Sequence, residues 1–508
     1  MYSLYTMYKY AQTEIELKFG IPKYRLIEIT KALRGDVRGE PPHTQQLQAI
    51  YYDTTDERLA AHGLAIRLRK EGRYWIQTAK AATQSNVVRL EHNVVVSRAK
   101  RQKYPQLDIA LHDGFPIGAA LRHALDGNEN LIERFRIDVI RTSRISNCGD
   151  SCVELALDIG AIVANYRTLP ICEFELELKS GSIADLVMLA DIWSSRYSLW
   201  LTNASKFQRG LQLVHGVSET CPVYSVGLRV GKSSGTVEFL TTTVESCLAQ
   251  VIGNASNLAA GSRDEELVHQ LRVGLRRLRT ALTKLKDFAD NIEPQWEAQL
   301  ANVFKELGAQ RDVTSVIPTV LKEMKAAGVT IRADVKPIQA LRSPNDIVVD
   351  PSFQSCLLSI LGFCHSANVT AVVSKHQDES LKRRLARILN KLHIYLVRNC
   401  KHFTKLSPER QHGVRKQLKS LRYLSEFSAA VFGQKRVYRY LKNWSDAQNA
   451  IGLLNDHRIG IEAVRAATPL GSSSAVERDW FVKTINRSIK GCKKPLRNSI
   501  KQPVFWKK

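Results

Sequence analysis

The chain has 508 residues, 44% hydrophobic and 24% charged, and a formal net charge of +25, the balance of a globular protein too long for one core. No apolar run reaches the length of a membrane span. Nine scattered cysteines without a C-x-x-C pair argue against a disulfide framework or a thiolate zinc site and for a reducing cytoplasm. Residues 221–508 hold 46 Lys and Arg against 24 Asp and Glu, whereas residues 1–220 hold 28 against 25. A basic body joined to a near-neutral one attracts polyanions: nucleic acid, anionic membrane or inorganic polyphosphate.

Residues 1–12 lack the basic and long apolar stretches of a secretory signal and read as a short extension. In Glu14-Ile15-Glu16-Leu17-Lys18 apolar and charged residues alternate, so a strand places Glu14, Glu16 and Lys18 on one face. Two adjacent carboxylates repel unless a cation lies between them, and a hard divalent metal is the usual answer. A helix is expected over 22–33, and strands over 48–52 and 64–70, with Asp53-Thr54-Thr55-Asp56 as a turn between them. On the second of these strands Arg67 and Arg69 share a face. Strands over 74–80 and 87–96 carry Thr78 with Lys80 and Arg89 with Glu91. A helix over 117–125 and a strand over 135–141, ending at Arg141, follow. The strand over 153–159 carries Glu154 and Asp158. The strand over 171–179 places Glu173, Glu175, Glu177 and Lys179 on one face against Phe174, Leu176 and Leu178. A helix over 183–195 follows, and Lys206 falls in an expected turn, Ala204–Phe207. Solvated strand faces are rich in Ser, Thr, Gln and Asn, but here strand after strand carries ionic groups. The alternative is a closed barrel with an ionic interior.

Seven segments in order carry a resemblance: EIELKF at 14–19, YYDTTDERLAAHGLAIRLRK at 51–70, WIQTAK at 75–80, RLEHNVVV at 89–96, ELALDIG at 154–160, EFELELKSG at 173–181 and ASKFQRG at 204–210. The first 210 residues resemble the CYTH family, the triphosphate tunnel metalloenzymes, departing from its pattern at Ala79 and at His92-Asn93. The resemblance implies an antiparallel barrel tunnel that hydrolyses a linear triphosphate with Mg2+ or Mn2+. By that analogy Lys18, Arg67, Arg69, Lys80, Arg89 and Lys179 grip phosphate oxygens, together with Arg141 and Lys206. Glu14, Glu16, Lys18, Arg67, Arg69 and Lys80 form the catalytic set. Glu14 and Glu16 hold the metal with Glu91 and later carboxylates, for which Glu175, Glu177, Glu173, Asp158 and Glu154 all stand open. The physics agrees, since a tripolyphosphate carrying about four to five negative charges needs several cations at once.

Residues 216–236, rich in Gly, Ser and Val, read as a linker, and nearly everything beyond reads as helix. After a helix over 244–259, a basic helix over 265–288 brings His269, Arg272, Arg276 and Arg279 within an arc of about 80° at about 100° per residue. The 3, 4, 3 spacing recurs at His412, Arg415, Lys419 and Arg422, beside Lys416. Matching expected turns, Gly308–Asp312 and Gly452–Asp456, follow the two copies, which points to an internal duplication. Lys382, Arg383, Arg384, Arg387, Lys391 and the tail from Lys490 to Lys508 add basic charge. VHQLRVGLRRLRTAL at 268–282, LGAQRD at 307–312, HGVRKQLKSLRYLSEF at 412–427 and IGLLND at 451–456 make residues 230–500 resemble the CHAD family. That resemblance implies paired helical bundles with a basic groove that binds inorganic polyphosphate. Phosphate contacts alone do not tell polyphosphate from nucleic acid, but few aromatic residues are present to stack bases.

The expectation is a multidomain α+β chain: a barrel over 13–215, a linker over 216–236, and an all-α duplicated helical region over 237–505 with repeats at 237–345 and 350–505. Its expected function is metal-dependent hydrolysis of inorganic triphosphate beside a polyphosphate-binding module. The expected location is the cytoplasm, with polyphosphate granules as a point of association. The rival readings are a non-catalytic polyphosphate-binding or granule-targeting protein, and an enzyme acting on thiamine triphosphate or ATP. Membrane binding is not expected, and the sequence does not specify the oligomeric state.

Overall fold

The structure is a computed structural model that describes residues 13–35, 41–82, 85–98, 104–128, 130–217, 221–230, 234–329, 341–366, 369–370, 379–468 and 474–507. The expected extension over 1–12, the linker residues 218–220 and 231–233, and Lys508 lie outside the described residues. The chain forms two compact units, Met1–Val223 with Leu248–Gln270 and Val348–Ala367, and Tyr224–Cys247 with Leu271–Ile347 and Asn368–Lys508.

The first unit is built on nine antiparallel strands: β1 (Thr13–Gly20), β2 (His43–Asp53), β3 (Leu64–Glu71), β4 (Tyr74–Ala81), β5 (Val88–Arg98), β6 (Ile132–Cys148), β7 (Ser151–Ala164), β8 (Arg167–Ser180) and β9 (Trp200–Thr202). Their order is β5-β4-β3-β2-β6-β7-β8-β1-β9, and β1 also pairs with β5, so eight strands close into a barrel. The first strand makes the closure by itself. Its start pairs with β5 (Glu14 opposite Arg89) and its remainder with β8 (Lys18 opposite Glu175).

The short helices of this unit are α1 (Leu26–Arg34), α2 (Arg58–Ala61), α3 (Pro116–Leu125), α4 (Ile183–Tyr197) and α5 (Lys206–Val214). The expected turn over Asp53–Asp56 is present, the Glu57 amide donating to the Thr54 carbonyl at 3.0 Å, and it is anchored by Asp53. Its buried carboxylate accepts from the backbone amides of Thr54, Leu59 and Ala60 at 2.8, 2.9 and 3.0 Å. Lys206, expected in a turn, is instead the first residue of α5. Ser205 and Gln208 form a reciprocal capping box that starts a helix there.

Alternation along β8 sends Phe174 and Leu176 outward, fully buried, with the Phe174 ring 4.8 Å from Trp193 of α4. The inner face is not ionic throughout. Leu47, Ala49, Tyr51, Phe135, Ile137, Val139, Ile162 and Ile171 form an apolar cluster against Phe207, Leu211 and Val214 of α5. Strand parity places these residues on the same face as Arg67 and Arg141. The barrel interior is therefore ionic in one stretch and apolar beneath α5.

The helical part comprises α6 (Thr236–Ala259), α7 (Glu265–Lys284), α8 (Pro294–Arg311), α9 (Ile317–Ala326), α10 (Pro344–Val348), α11 (Pro351–His365), α12 (Leu381–Cys400), α13 (Pro408–Phe427), α14 (Ala429–Phe432), α15 (Gln434–Ala467) and α16 (Ala475–Ser499). The two expected turns are not turns. Gly308–Arg311 completes α8, a π-helical turn over Asp312–Val316 leads into α9, and Gly452–Asp456 lies inside the unbroken α15. In the second unit α9, α15 and α16 meet over Val320, Met324, Ile461, Val464 and Phe481. Among the described residues no helix is long and apolar enough to cross a membrane.

Gly210 is the tightest joint under α5, since a Cβ there would lie 2.3 Å from the Phe135 ring. Gly210→Ala is expected to cost about 1–3 kcal/mol through overpacking, read as a lower urea midpoint with an unchanged slope.

Candidate anion and metal sites

Inside the barrel, register sets opposite charges beside each other. Arg141 pairs with Asp158 across β6 and β7, and Lys80 with Glu91 across β4 and β5. The side chains complete these pairs. Lys80 Nζ lies 2.7 Å from Glu14 Oε2 and also contacts Glu91. Arg89 contacts Glu16, and Lys18 bridges Glu16 and Glu175 at 3.2 and 3.1 Å. Arg141 forks onto Asp158 with two hydrogen bonds of 2.7 Å and also reaches Glu175. Arg69 pairs with Glu71.

These groups surround a cavity of about 350 Å3 lined by Glu14, Glu16, Lys18, Arg67, Arg69, Lys80, Arg89, Arg141, Glu175 and Lys206. Glu91, Asp158 and Glu173 stand behind that lining, tied to Lys80, Arg141 and Lys206. Lys179 sits apart from it, paired with Glu154 and Glu177 at 2.8 and 2.7 Å.

Arg67 differs from the other tunnel cations. It is 8% exposed, and its only polar partner among the described residues is the Tyr51 hydroxyl, which accepts from Nη1 at 3.0 Å. Its Nε has no partner. Burial works against the charge, but Tyr51, Glu91 and Glu14 hold the guanidinium firmly protonated. Sequence reading missed Tyr51, although parity with Arg67 across β2 and β3 puts it on the inner face.

The other shifts follow the same balance of burial against opposite charge. Burial opposes the Lys80 charge, and Glu14 and Glu91 push its pKa up to about 12. Burial raises Asp158, but Lys206 and Arg141 bring it down to about 2. Glu177 moves the other way, up to about 7, because burial and the nearby Glu14 outweigh Lys179.

Ligand oxygens of Asp158, Glu173 and Glu175 lie within 4.8 Å of one another. Lys206 sits among them, 2.8 Å from Asp158 and 2.9 Å from Glu175 and in contact with Glu173. A buried, all-carboxylate set of this kind suits a hard divalent cation, and the ammonium now supplies that positive charge. Glu14 and Glu16 fall outside this group, facing the cavity with Lys80 and Arg89.

In the second unit α7 and α13 both contribute to one basic cluster. Arg272 donates to the Phe304 carbonyl at 3.0 Å, and its guanidinium lies 4.4 Å from the Phe304 ring centre, with Arg276 at 4.7 Å and Arg279 at 5.6 Å. Gly308 makes room for Arg272, whose Nη1 would lie 2.7 Å from a Cβ there. Burial first, and then Arg276, Arg311 and Arg415, lower Arg272 to about 10. Burial together with Arg276, Arg422 and Arg415 lowers Lys419 to about 8. Arg279 and Arg422 are partly spent on Glu297 (3.0 Å) and Glu426 (2.8 Å).

His412 and Lys416 are exposed, and His269 lies one turn before Arg272 on α7. Two expected contributors do not join this surface. Arg384 is buried, donates to the Asp287 carbonyl and stacks 4.8 Å from Phe288, and Arg387 pairs with Glu379 at 2.8 Å.

Removing the ammonium at the centre of the carboxylate group tests the balance. Lys206→Met is expected to cost about 3–5 kcal/mol near neutral pH, the cost of breaking a buried pair. The cost should be smaller at pH 5, where protonating one carboxylate relieves the repulsion, and urea unfolding at both pH values measures it.

The chain is similar to known proteins in two stretches. Residues 12–211 match the CYTH domain and residues 242–465 the CHAD domain. An inorganic triphosphatase of Haemophilus influenzae is 30% identical over 205 residues, 39% of this chain and 54% of that protein. The chain thus spans about half the length of this curated relative. Among solved structures, the CHAD domain of the plant Ricinus communis shares 20% identity over 55% of this chain and 96% of its own, with a TM-score of 0.39. A putative adenylyl cyclase from Hippeastrum, described as having a dominant triphosphatase activity, shares 15% identity over 39% of this chain and 95% of its own, with a TM-score of 0.28. The chain belongs to the proteins that carry a CYTH domain followed by a CHAD domain.

Proposed function

We propose that the barrel hydrolyses inorganic triphosphate to diphosphate and phosphate with Mg2+ or Mn2+, and that the basic cluster of the helical region binds inorganic polyphosphate. The observation that carries the first part is a cavity ringed by buried cations, among which Arg67 has no carboxylate partner among the described residues. Arg67 takes up phosphate oxygens without having to release a carboxylate. Lys18, Lys80, Arg89 and Arg141 exchange their carboxylates for phosphate oxygens. The same cations take up the charge that develops on the phosphoryl group in flight. Glu14, Glu16 and Glu175 face the cavity and would hold a divalent metal, with Asp158 and Glu173 within reach of Glu175. When bound, the metal supplies Lewis-acid neutralisation of the phosphates.

The test is phosphate release from tripolyphosphate with Mg2+ or Mn2+, compared with ATP and thiamine triphosphate. Glu14→Ala/Glu16→Ala and Arg67→Ala are each expected to lower kcat/KM by about a hundredfold or more, and Arg67→Lys by less. Faster turnover of ATP or thiamine triphosphate would replace the inorganic substrate with an organic one. No turnover of any of the three would leave the protein a binding module.

The second part rests on the convergence of Arg272 and Arg276 with Arg415 and Lys419. Lys419 loses its charge as pH rises through about 8. Polyphosphate affinity is therefore expected to fall between pH 7 and 9, with a proton taken up on binding at the upper end. Calorimetry in buffers of different ionisation heat would show that uptake. Lys419→Arg should flatten the profile.

A further inference from the structure

Lys80 stands at the cavity wall between two carboxylates, with Nζ 2.7 Å from Glu14 Oε2 and in contact with Glu91 Oε2. The two partners differ in access. Glu14 lines the cavity, where an entering phosphate competes with it for the ammonium. Glu91 is 7% exposed and stands behind the lining, so the place of its Oε2 depends on what holds its Oε1.

Asn93 holds it. Its Nδ2 donates to Glu91 Oε1 at 2.8 Å, and its Oδ1 accepts from the fully buried Thr78 hydroxyl at 2.7 Å. Register builds the arrangement, because Thr78 lies opposite Asn93 and Lys80 opposite Glu91 on the inward faces of β4 and β5. Burial opposes the Glu91 charge, but Lys80 brings its pKa below the ordinary carboxylate range. An ionised carboxylate only accepts, so the amide nitrogen must face Glu91, and the amide oxygen is left for the hydroxyl. Glu91 is thus gripped on one oxygen by Asn93 and on the other by Lys80.

Position 93 belongs to the His92-Asn93 pair at which the chain departs from the CYTH pattern. The bonding selects a carboxamide there. An aspartate would set acceptor against acceptor at Glu91, and a leucine would leave the Glu91 oxygen and the Thr78 hydroxyl without this partner in a buried place. Only a side chain that donates on one side and accepts on the other completes the line from Thr78 to Lys80. When a phosphate oxygen displaces Glu14, the anchored Glu91 keeps Lys80 at the wall.

We propose that Asn93, backed by Thr78, is a positioning residue for Lys80, fixing through Glu91 the place from which the ammonium meets a phosphate. Of the two carboxylates on Lys80, Glu14 is then the one exchanged and Glu91 the one kept. This rests on the reading of the cavity as a triphosphate site and assigns a role within it to residues that do not line it.

The test uses the full chain with Asn93→Asp, Thr78→Val, Thr78→Ser and Lys80→Gln, each checked for folding by circular dichroism. The first measurement needs no substrate: lysine is labelled with 13C at Cε, and the Lys80 signal is assigned by its loss in Lys80→Gln. Asn93→Asp and Thr78→Val are expected to shift that signal, while the signal of Lys206, held by Asp158, Glu173 and Glu175, stays in place. The second measurement is turnover of tripolyphosphate, ATP and thiamine triphosphate with Mg2+. Asn93→Asp is expected to lower kcat/KM by about tenfold or more and Thr78→Val by less, with Thr78→Ser within about twofold of the unsubstituted chain. In the Lys80→Gln chain Asn93→Asp should cost less than about twofold, because the two act through one ammonium. An unshifted Lys80 signal in both variants would overturn the proposal. So would an equal shift at Lys206, the mark of a general distortion, or a kcat/KM loss that persists in full in the Lys80→Gln chain. An unsubstituted chain that turns over no triphosphate would remove the hydrolysis proposed above and leave the Lys80 signal to decide this inference.

Discussion

A buried cation must find an anion, and this rule organises the barrel. Lone Lys or Arg side chains on an inward face would lose their hydration and repel one another. Cross-strand register prevents this by setting Arg89 beside Glu14, Lys80 beside Glu91 and Arg141 beside Asp158. The pairs make the ligand-free interior tolerable, and they also make it exchangeable, because each cation is held by groups that a hard metal could take over. Arg67 shows the limit of the rule. It keeps its charge beside a tyrosine hydroxyl and has no carboxylate to give up.

The helical cluster answers the same constraint differently. The carboxylates there, Glu297, Glu426 and Asp456, pair with Arg279, Arg422 and Arg311, while Arg272 leans on an aromatic ring and on backbone oxygen at Phe304. The two repeats are not equal in this respect. Four residues before Gly308 stands Phe304, whereas four residues before Gly452 stands Gln448, which accepts from Arg422 at 3.5 Å. Where the first repeat has Arg276, the second has Lys419, whose compact ammonium loses its proton more readily when buried among guanidiniums. The two segments thus match in the position of charge but not in its chemistry.

Much of this was legible in the sequence because strand alternation is unforgiving. Glu173, Glu175 and Glu177 between Phe174, Leu176 and Leu178 announce one wet and one dry face, and Arg67 with Arg69 does the same. What stayed hidden depends on contacts between distant segments. The apolar cluster beneath α5 draws on Leu47, Phe135 and Phe207, which no local pattern links. The glycines at 308 and 452 suggested turns, since glycine usually breaks helices, but at Gly308 the missing side chain admits the Arg272 guanidinium. Ala204-Ser205 has the composition of a loop, which puts Lys206 in a turn. The capping pair Ser205 and Gln208 was present and would have marked a helix start. Arg384 looked like one more surface cation in a basic run, and only the packing of Phe288 shows it to be interior.

The double role of β1 has a consequence for how the molecule assembles. That strand pairs at Glu14 with β5 but at Glu16, Lys18 and Gly20 with β8, through Glu177, Glu175 and Glu173. During synthesis it therefore precedes its partner strands and waits, its β8-facing edge open, until residues 173–177 have left the ribosome. Closing so wide a loop is slow for entropic reasons. Further segments that belong with the barrel, Leu248–Gln270 and Val348–Ala367, arrive later still. The alternating charges along β1 blunt its open edge in the interval, since a charged strand is a poor template for aggregation. Residues that line the finished cavity therefore also guard the nascent chain.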